Sequence, residues 1–179
     1  FFFKQKTAYE IYQCDWSSDV CSSDLPAGWT KLVDHLRTRG VTDAEMLATG
    51  LASASSRGHL IDRFRDRLTL PITHHDEILG FVARRHPDLT DDQTHGGKVG
   101  PKYLNTPNTP LFHKGAHLYG ASDDLINDGA IPVIVEGPID AIAVTLATAG
   151  RYLGLASLGT ALTDEQARQL AAITHATRP

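Results

Sequence analysis

Two carboxylates, Glu136 and Asp140, have the residue type and spacing for metal and phosphate chemistry. Glu136 follows an apolar run, Ile131–Val135, that predicts a strand, and an apolar helix then begins at Pro138. A strand that turns through Glu-Gly into a helix puts the carboxylate at the carboxyl edge of a parallel sheet, where open α/β sheets bind ligands. Asp140 falls in the first helical turn and can face the same space. The pattern predicts a divalent cation; two acids that merely favour the helix dipole are the alternative.

A second candidate site is the basic and aromatic stretch 93–122, which contains neither Asp nor Glu. Its cationic and titratable residues are Lys98, Lys102, Lys114, His95, His113 and His117. Tyr103, Asn105, Phe112 and Tyr119 lie between them in the sequence. Cations hold phosphates and aromatic rings stack on bases. The stretch therefore indicates nucleic-acid or nucleotide binding, with a solvated loop that carries packing tyrosines as the structural alternative.

A third group of charged residues is the arginine-rich run before the first long strand. Asp62 and Asp66 flank Arg63 and Arg65, whereas Arg84 lies across a predicted hairpin without an adjacent acid. Exposed arginines beside aspartates commonly form weak ion pairs. We expect such pairs for Arg63 and Arg65, and we expect them less for Arg84.

Periodicity and capping signals predict the elements that position these residues. A first helix, which ends at Gly40, has one apolar face with Trp29, Leu32, Val33 and Leu36. Capping boxes at 42–45 and 163–166 begin two further helices. The helix that begins at Pro138 ends at Gly150. Strands are predicted at 67–72, 78–84, 131–135 and 152–156, and a loop at 51–58. The final order of strand, helix, strand and helix predicts a parallel sheet with right-handed crossovers.

Composition limits the remaining function classes. The chain has 179 residues and a net charge of −4, so nucleic-acid contacts must come from local patches. No apolar run approaches the roughly 20 residues that a bilayer-spanning helix needs. Cys14 and Cys21 have no matching pair elsewhere and make no zinc framework.

The segment 1–25 resembles a translated sequencing adapter. It lacks helical and strand periodicity, and no apolar run follows its basic residues as in a signal peptide. Its pieces KQKTAYEI and CDWSSDVCSSDL back-translate to the two constant parts of a common index adapter. We expect residues 1–25 to be a non-native, disordered leader, joined to a gene that was cut at this end.

Seven segments of the remaining chain resemble the catalytic core of DnaG-type bacterial DNA primases, in order and spacing. They are IDRFRDRLTLPI at 61–72, GFVAR at 80–84, PKYLNTP at 101–107, LFHKG at 111–115, LYG at 118–120, VEGPID at 135–140 and ASLGT at 156–160. The EGxxD pattern alone would indicate only the TOPRIM superfamily, which also includes topoisomerases and some nucleases. KYLN followed by FHKG and LYG is specific to primases, and the resemblance covers residues 26–179.

The resemblance implies an α/β fold in two parts. Residues 26–120 would form the mixed, primase-specific α/β subdomain of the catalytic core. Residues 121–179 would form the N-terminal half of a TOPRIM domain, a truncated parallel-sheet βαβα unit. One of its two long strands would then have an unpaired edge.

The resemblance also implies a DNA-directed RNA polymerase of the primase type, a nucleotidyltransferase that joins ribonucleotides into short primers. Catalysis would use Mg²⁺ or Mn²⁺, with Glu136 as the acid that holds metal or acts as a base and Asp140 beside it. Arg84, Lys102, Tyr103, Asn105 and Lys114 would line the groove for template and nucleotide. The implied partners are single-stranded DNA, ribonucleoside triphosphates and a replicative helicase in the bacterial cytoplasm, with no membrane.

The sequence departs from the family pattern in ways that bear on activity. No zinc-binding module precedes residue 26, no helicase-binding domain follows, and the Asp-x-Asp motif of the next TOPRIM strand is missing. Glu136 and Asp140 alone offer few oxygens for Mg²⁺, so we expect this polypeptide to be inactive. The alternatives are a primase-like module fused to a relaxase or helicase, a TOPRIM nuclease or topoisomerase, and a non-catalytic DNA-binding module.

Overall fold

The computed structural model describes residues 23–25, 28–75, 77–86, 100–159 and 161–176. Within these residues the chain divides into two compact units. The first comprises the chain through Pro71 together with Gly80–Thr109, and the second comprises Ile72–Leu79 together with the chain from Pro110. No helix among the described residues has both the length and the apolar character required to cross a bilayer.

The first unit contains two helices and most of a four-stranded sheet. Its elements are β1 (Ser23–Leu25), α1 (Lys31–Thr38), α2 (Asp43–Ala48), β2 (Ala52–Ala54), β3 (Leu60–Asp62), β4 (Arg67–His74), β5 (Glu77–Arg85) and β6 (Tyr103–Asn105). The sheet order is β1-β4-β5-β6, and β2 and β3 form a separate antiparallel pair. The tip of the β4–β5 hairpin belongs to the second unit.

The two helices form as their periodicity and caps predict. Leu32, Val33 and Leu36 are the buried residues of α1. Thr42 and Glu45 make the predicted capping box of α2. The prediction of a loop over 51–58 is wrong for Ala52–Ala54, which pairs with Leu60–Asp62, and is confirmed for the other residues of that range. These strands are three residues long, too short for a periodic pattern.

Asp62 caps α1 from a distant point in the sequence. Its two carboxylate oxygens accept hydrogen bonds from the main-chain N–H groups of Leu32 and Val33, at 2.8 and 2.9 Å. A buried carboxylate at the first turn of a helix satisfies donors that have no intrahelical partner. The expected close ion pair is not formed, because Arg65 donates to the Asp62 carbonyl at 2.6 Å instead of to its carboxylate. The Asp62 charge still acts on Arg65, since it opposes the burial that lowers the pKa of this arginine.

Residues 23–25 form β1, whose backbone pairs antiparallel with β4, with Ser23 opposite Thr69 and Leu25 opposite Arg67. The expectation of a disordered leader over residues 1–25 is therefore wrong for these three residues. Main-chain pairing with an open strand edge requires no side-chain pattern, and periodicity could not reveal it. The rest of the leader lies outside the described residues.

The second unit is built on a three-stranded sheet with the order β7-β9-β8. Its elements are β7 (Leu118–Tyr119), α3 (Asp123–Asn127), β8 (Ile131–Val135), α4 (Pro138–Ala147), β9 (Tyr152–Ser157) and α5 (Asp164–Ala176). β8 and β9 are parallel, with Ile131 opposite Tyr152 and Val135 opposite Ala156. This confirms the predicted α/β class. The antiparallel strand β7 was not predicted.

The strand with the open edge is β8. β9 has neighbours on both sides, whereas β8 pairs only with β9 among the described residues. Its Ile131 and Ile134 side chains are 51% and 45% exposed. Of the two strands that the sequence analysis offered for the unpaired edge, the structure thus selects β8.

Helix α4 packs unusually close to β9. A β-carbon added at Gly154 in β9 would collide with the main-chain oxygen of Ala141 in α4. A β-carbon at Gly120, which follows β7 with a φ of 89°, would collide with the oxygen of Gly154. Glycine at both positions therefore allows strand, turn and helix to approach at one point.

Candidate active site and nucleic-acid interface

Glu136 lies at the junction between β8 and α4. The strand ends at Val135, Gly137 is the N-cap in an extended conformation, and Pro138 occupies the first turn of the helix. Proline is tolerated there because its position needs no intrahelical donor. The Glu136 side chain is exposed. The predicted placement of this carboxylate, directly after a parallel strand, is confirmed.

Asp140 lies one helical turn into the same junction, as the acidic residue in the first turn of α4. Its side chain is also exposed. Ala141 next to it is buried against β9, so the packing of α4 fixes the height of Asp140 above the sheet edge. The two carboxylates thus lie on either side of the N-cap Gly137, and both are accessible to solvent.

The described residues contain no group of three or more His, Cys, Asp or Glu side chains that could hold a metal ion. Glu136 and Asp140 have oxygen ligands of the kind that Mg²⁺ prefers, but Mg²⁺ requires about six. Glu136 and Asp140 could therefore supply only part of the ligands of a divalent-cation site.

Lys114 approaches the same edge of the sheet. A β-carbon added at Gly159, just after β9, would lie 3.8 Å from Lys114 Cε, which is an ordinary contact distance. Because Ala156 of β9 is opposite Val135 of β8, the residues after these strands emerge side by side. The structure therefore brings the Lys114 side chain to the carboxyl edge from which Glu136 projects.

In the first unit, Arg84, Lys102 and Tyr103 form a cluster on the β5–β6 pair. Arg84 is opposite Tyr103 in the antiparallel register, and its guanidinium carbon is 5.9 Å from the tyrosine ring centroid. Lys102 Nζ is 5.7 Å from the same centroid. Two cations beside one aromatic ring combine charge with a stacking surface.

Asn105 ends β6 opposite Val82 and is held through its main chain. Its carbonyl oxygen accepts from Arg63 Nη2 at 3.1 Å and Nε at 3.3 Å. Arg63 therefore supports β6 rather than forming the expected surface pair with an aspartate. Burial lowers the pKa of Arg63.

Arg67 is a residue whose role the sequence did not reveal. It is buried in β4, and Nη1 lies 3.4 Å from the carbonyl oxygens of Ala83 and Lys102. Burial, followed by the nearby charge of Arg85, lowers the pKa of Arg67. Arg67 thus holds β6 and β5 from within the sheet.

Trp29 also differs from its predicted place. It precedes α1 instead of joining the buried face, and 53% of it is exposed. The guanidinium carbon of Arg65 lies 4.1 Å from its ring centroid, a close cation–π contact. A lone tryptophan before a helix fits the apolar period equally well, so periodicity alone could not separate these placements.

Lys98 and His95 of the basic stretch lie outside the described residues.

Comparison with protein families assigns both parts of the chain. Residues 23–124 match the family model for the N-terminal domain of the DNA primase catalytic core. Residues 133–177 match a Toprim-like family model.

Individual relatives agree with these matches. A curated DNA primase of Deinococcus radiodurans is 40% identical over 149 residues, covering 81% of this chain and 24% of the relative. The RNA polymerase domain of Mycobacterium tuberculosis primase DnaG, solved with a double-stranded DNA oligomer that has a 6-nucleotide overhang, superposes with a TM-score of 0.73 at 29% identity, over 97% of this chain and 59% of that one. A Pseudomonas aeruginosa DNA primase domain gives 0.67 at 36% identity, over 83% and 44%. The chain spans about a quarter of the length of the curated relative.

Proposed function

Since the chain belongs to the DnaG-type bacterial DNA primase family, we propose that it is part of an enzyme that synthesises short RNA primers on single-stranded DNA. The observation that carries this proposal is the position of Glu136, exposed between β8 and α4 at the carboxyl edge of a parallel strand pair, with Lys114 at the same edge. The primase-specific match over residues 23–124 disfavours a Toprim nuclease or topoisomerase.

The domain organisation that we propose follows the sequence motifs, and the family matches over residues 23–124 and 133–177 support it in outline. Residues 26–120 form the primase-specific subdomain and residues 121–179 the N-terminal half of a TOPRIM domain, with an adapter-derived leader before them. The two compact units divide instead near Thr109, and β7 belongs to the three-stranded sheet of the second unit. Packing thus supports a boundary about ten residues earlier than the sequence motifs do.

Glu136 is proposed as a metal ligand or general base, and Asp140 as the carboxylate that supports it. Mg²⁺ or Mn²⁺ bound there would supply neutralisation of the triphosphate and activation of the primer 3′-hydroxyl. Lys114 adds a positive charge that can hold a phosphate at this edge. Because the described residues offer only part of a metal coordination sphere, we propose that this 179-residue chain does not synthesise primers by itself.

Arg84, Lys102, Tyr103 and Asn105 are proposed to contact template or nucleotide. The cations would neutralise phosphates, and the Tyr103 ring would stack on a base. Support comes from their arrangement on β5–β6 and from relatives solved with DNA, one of them a DnaG catalytic domain bound to single-stranded DNA. We further propose a replicative helicase as a partner of the intact primase and the bacterial cytoplasm as its location.

The decisive experiment is primer synthesis by the intact primase polypeptide that carries this sequence. Glu136→Gln removes the charge but keeps the shape, and we expect the rate of template-dependent primer formation to fall at least about a hundredfold. Asp124→Asn, at an exposed acid in the first turn of α3, is the control and should retain the wild-type rate. Undiminished synthesis by Glu136→Gln would refute the catalytic assignment, and primers made by the 179-residue chain would refute its predicted inactivity.

A further inference from the structure

Gln166 is a buried polar side chain at the start of α5, only 1% exposed. Its Oε1 accepts from the main-chain N–H of Thr163 at 3.1 Å, and the Thr163 hydroxyl accepts from the Gln166 N–H at 3.1 Å. This reciprocal pair is the predicted capping box. The cap uses only the acceptor oxygen of the glutamine amide, so the amide nitrogen remains available for another part of the chain.

The amide nitrogen of Gln166 binds the segment that carries Lys114. Nε2 donates to the carbonyl oxygen of His117 at 2.8 Å and lies 3.4 Å from that of Lys114. Thr163 adds a second tether, because its hydroxyl donates to the Gly115 carbonyl at 2.5 Å. Residues 113–117 form a turn outside any helix or strand, and these side-chain bonds anchor the turn to the start of α5.

Gln169, one turn later on α5, holds the far end of the same segment. Its Oε1 accepts from the Leu118 N–H at 2.9 Å, where β7 begins. The two glutamines therefore hold this segment with different amide atoms. Gln166 donates from Nε2 to the turn, whereas Gln169 accepts with Oε1 from the strand. This difference provides a matched pair of substitutions.

We propose that Gln166 is the positioning residue that fixes Lys114 at the catalytic edge of the sheet. It fixes the main chain around Lys114, whose side chain then lies against Gly159 at the carboxyl edge shared with Glu136. Gln166 touches no reactant and acts only through Lys114. The inference rests on the proposed phosphate-binding role of Lys114 and extends it to the residue that sets the lysine's place.

The test is a double-substitution cycle in the intact primase, with kcat and KM for ribonucleoside triphosphate measured in primer synthesis. Gln166→Glu keeps the shape and the acceptor but loses the donor, and we expect kcat/KM to fall about tenfold or more, mainly through KM. Gln169→Glu adds the same charge one turn away, retains its acceptor and should leave kcat/KM unchanged. On a Lys114→Ala background, Gln166→Glu should cause little further loss, because the group that it positions is gone.

Additional variants separate positioning from folding. Gln166→Met removes the amide without burying a charge, and thermal unfolding of each variant reports its folded state. The inference is overturned if the Gln166 and Lys114 effects multiply, or if folded Gln166→Glu and Gln166→Met retain wild-type kcat/KM. A Lys114→Ala enzyme with wild-type kinetics would remove the role of Lys114 and this inference with it, while leaving the Glu136 assignment intact.

Discussion

Arg84 and Tyr103 face each other across the antiparallel β5–β6 pair, and the guanidinium carbon lies 5.9 Å from the ring centroid. These residues come from segments separated by a stretch that lies outside the described residues. Strand pairing nevertheless fixes their relation, because residues directly opposite in a ladder share one face of the sheet. The cation and the ring therefore form a single surface, which is the one that we propose for nucleic-acid contact.

Replacing Arg84 should weaken binding of single-stranded DNA in a salt-dependent way. Arg84→Ala removes one positive charge. If that charge neutralises a phosphate as proposed, the slope of log affinity against log salt concentration should become shallower by about 0.7. Fluorescence anisotropy of a labelled oligonucleotide over a salt series measures this slope. Arg57→Ala, at an exposed arginine in the β2–β3 turn, should leave the slope unchanged. An unaltered slope for Arg84→Ala would remove this residue from the interface.

Loss of the Asp62 carboxylate should destabilise the first unit. Asp62→Ala leaves the Leu32 and Val33 N–H groups without acceptors in a buried place, which costs about 2 kcal/mol of unfolding free energy. Asp62→Asn keeps one acceptor oxygen and should lose less. Chemical denaturation followed by circular dichroism gives both values. Asp34→Ala, at an exposed acid of α1, is the control, and equal losses for Asp34→Ala and Asp62→Ala would contradict the capping role.

Acidification should destabilise the second unit through His117. Burial, then the neighbouring charge of His74 and a smaller contribution from His113, lowers the pKa of His117 below its ordinary 6.5, against the opposing effect of Glu165. Between the folded value and 6.5 the unfolded chain binds more protons than the folded chain, so stability rises with pH in this window and falls on acidification.

The measurement is Tm as a function of pH for the wild type and for His117→Asn. The wild type should lose more stability than the variant as pH falls below about 6.5. His59→Gln removes an exposed histidine from the β2–β3 turn and should follow the wild-type curve. Parallel curves for the wild type and His117→Asn would show that the protonation of His117 is not linked to folding.

The junction between β8 and α4 could be predicted from the sequence because its signals are local. An apolar run, Gly137 and Pro138 identify strand, turn and helix within a few residues, and Glu136 follows from them. Family-specific motifs supplied the remaining candidate residues, and the family match confirms the resemblance on which they rest. Their individual roles remain proposals.

The features that escaped prediction depend on partners far away in sequence. Asp62 caps a helix 29 and 30 residues earlier, and Gln166 binds carbonyl groups 49 and 52 residues earlier. Neither contact can be recognised from a periodic sequence pattern, because a single buried polar residue produces no such pattern. Short strands such as β6 escape for a related reason: three residues hold too little pattern to identify them.

The close approach at Gly120, Gly154 and Ala141 limits how this edge of the protein can evolve or be engineered. A side chain at position 120 or 154 meets a main-chain oxygen, and no replacement of a neighbouring side chain can remove that obstacle. A second substitution elsewhere in the chain therefore cannot rescue the replacement of either glycine. When Glu136 and Asp140 are randomised in a library, we expect functional variants only among proteins that keep both Gly120 and Gly154.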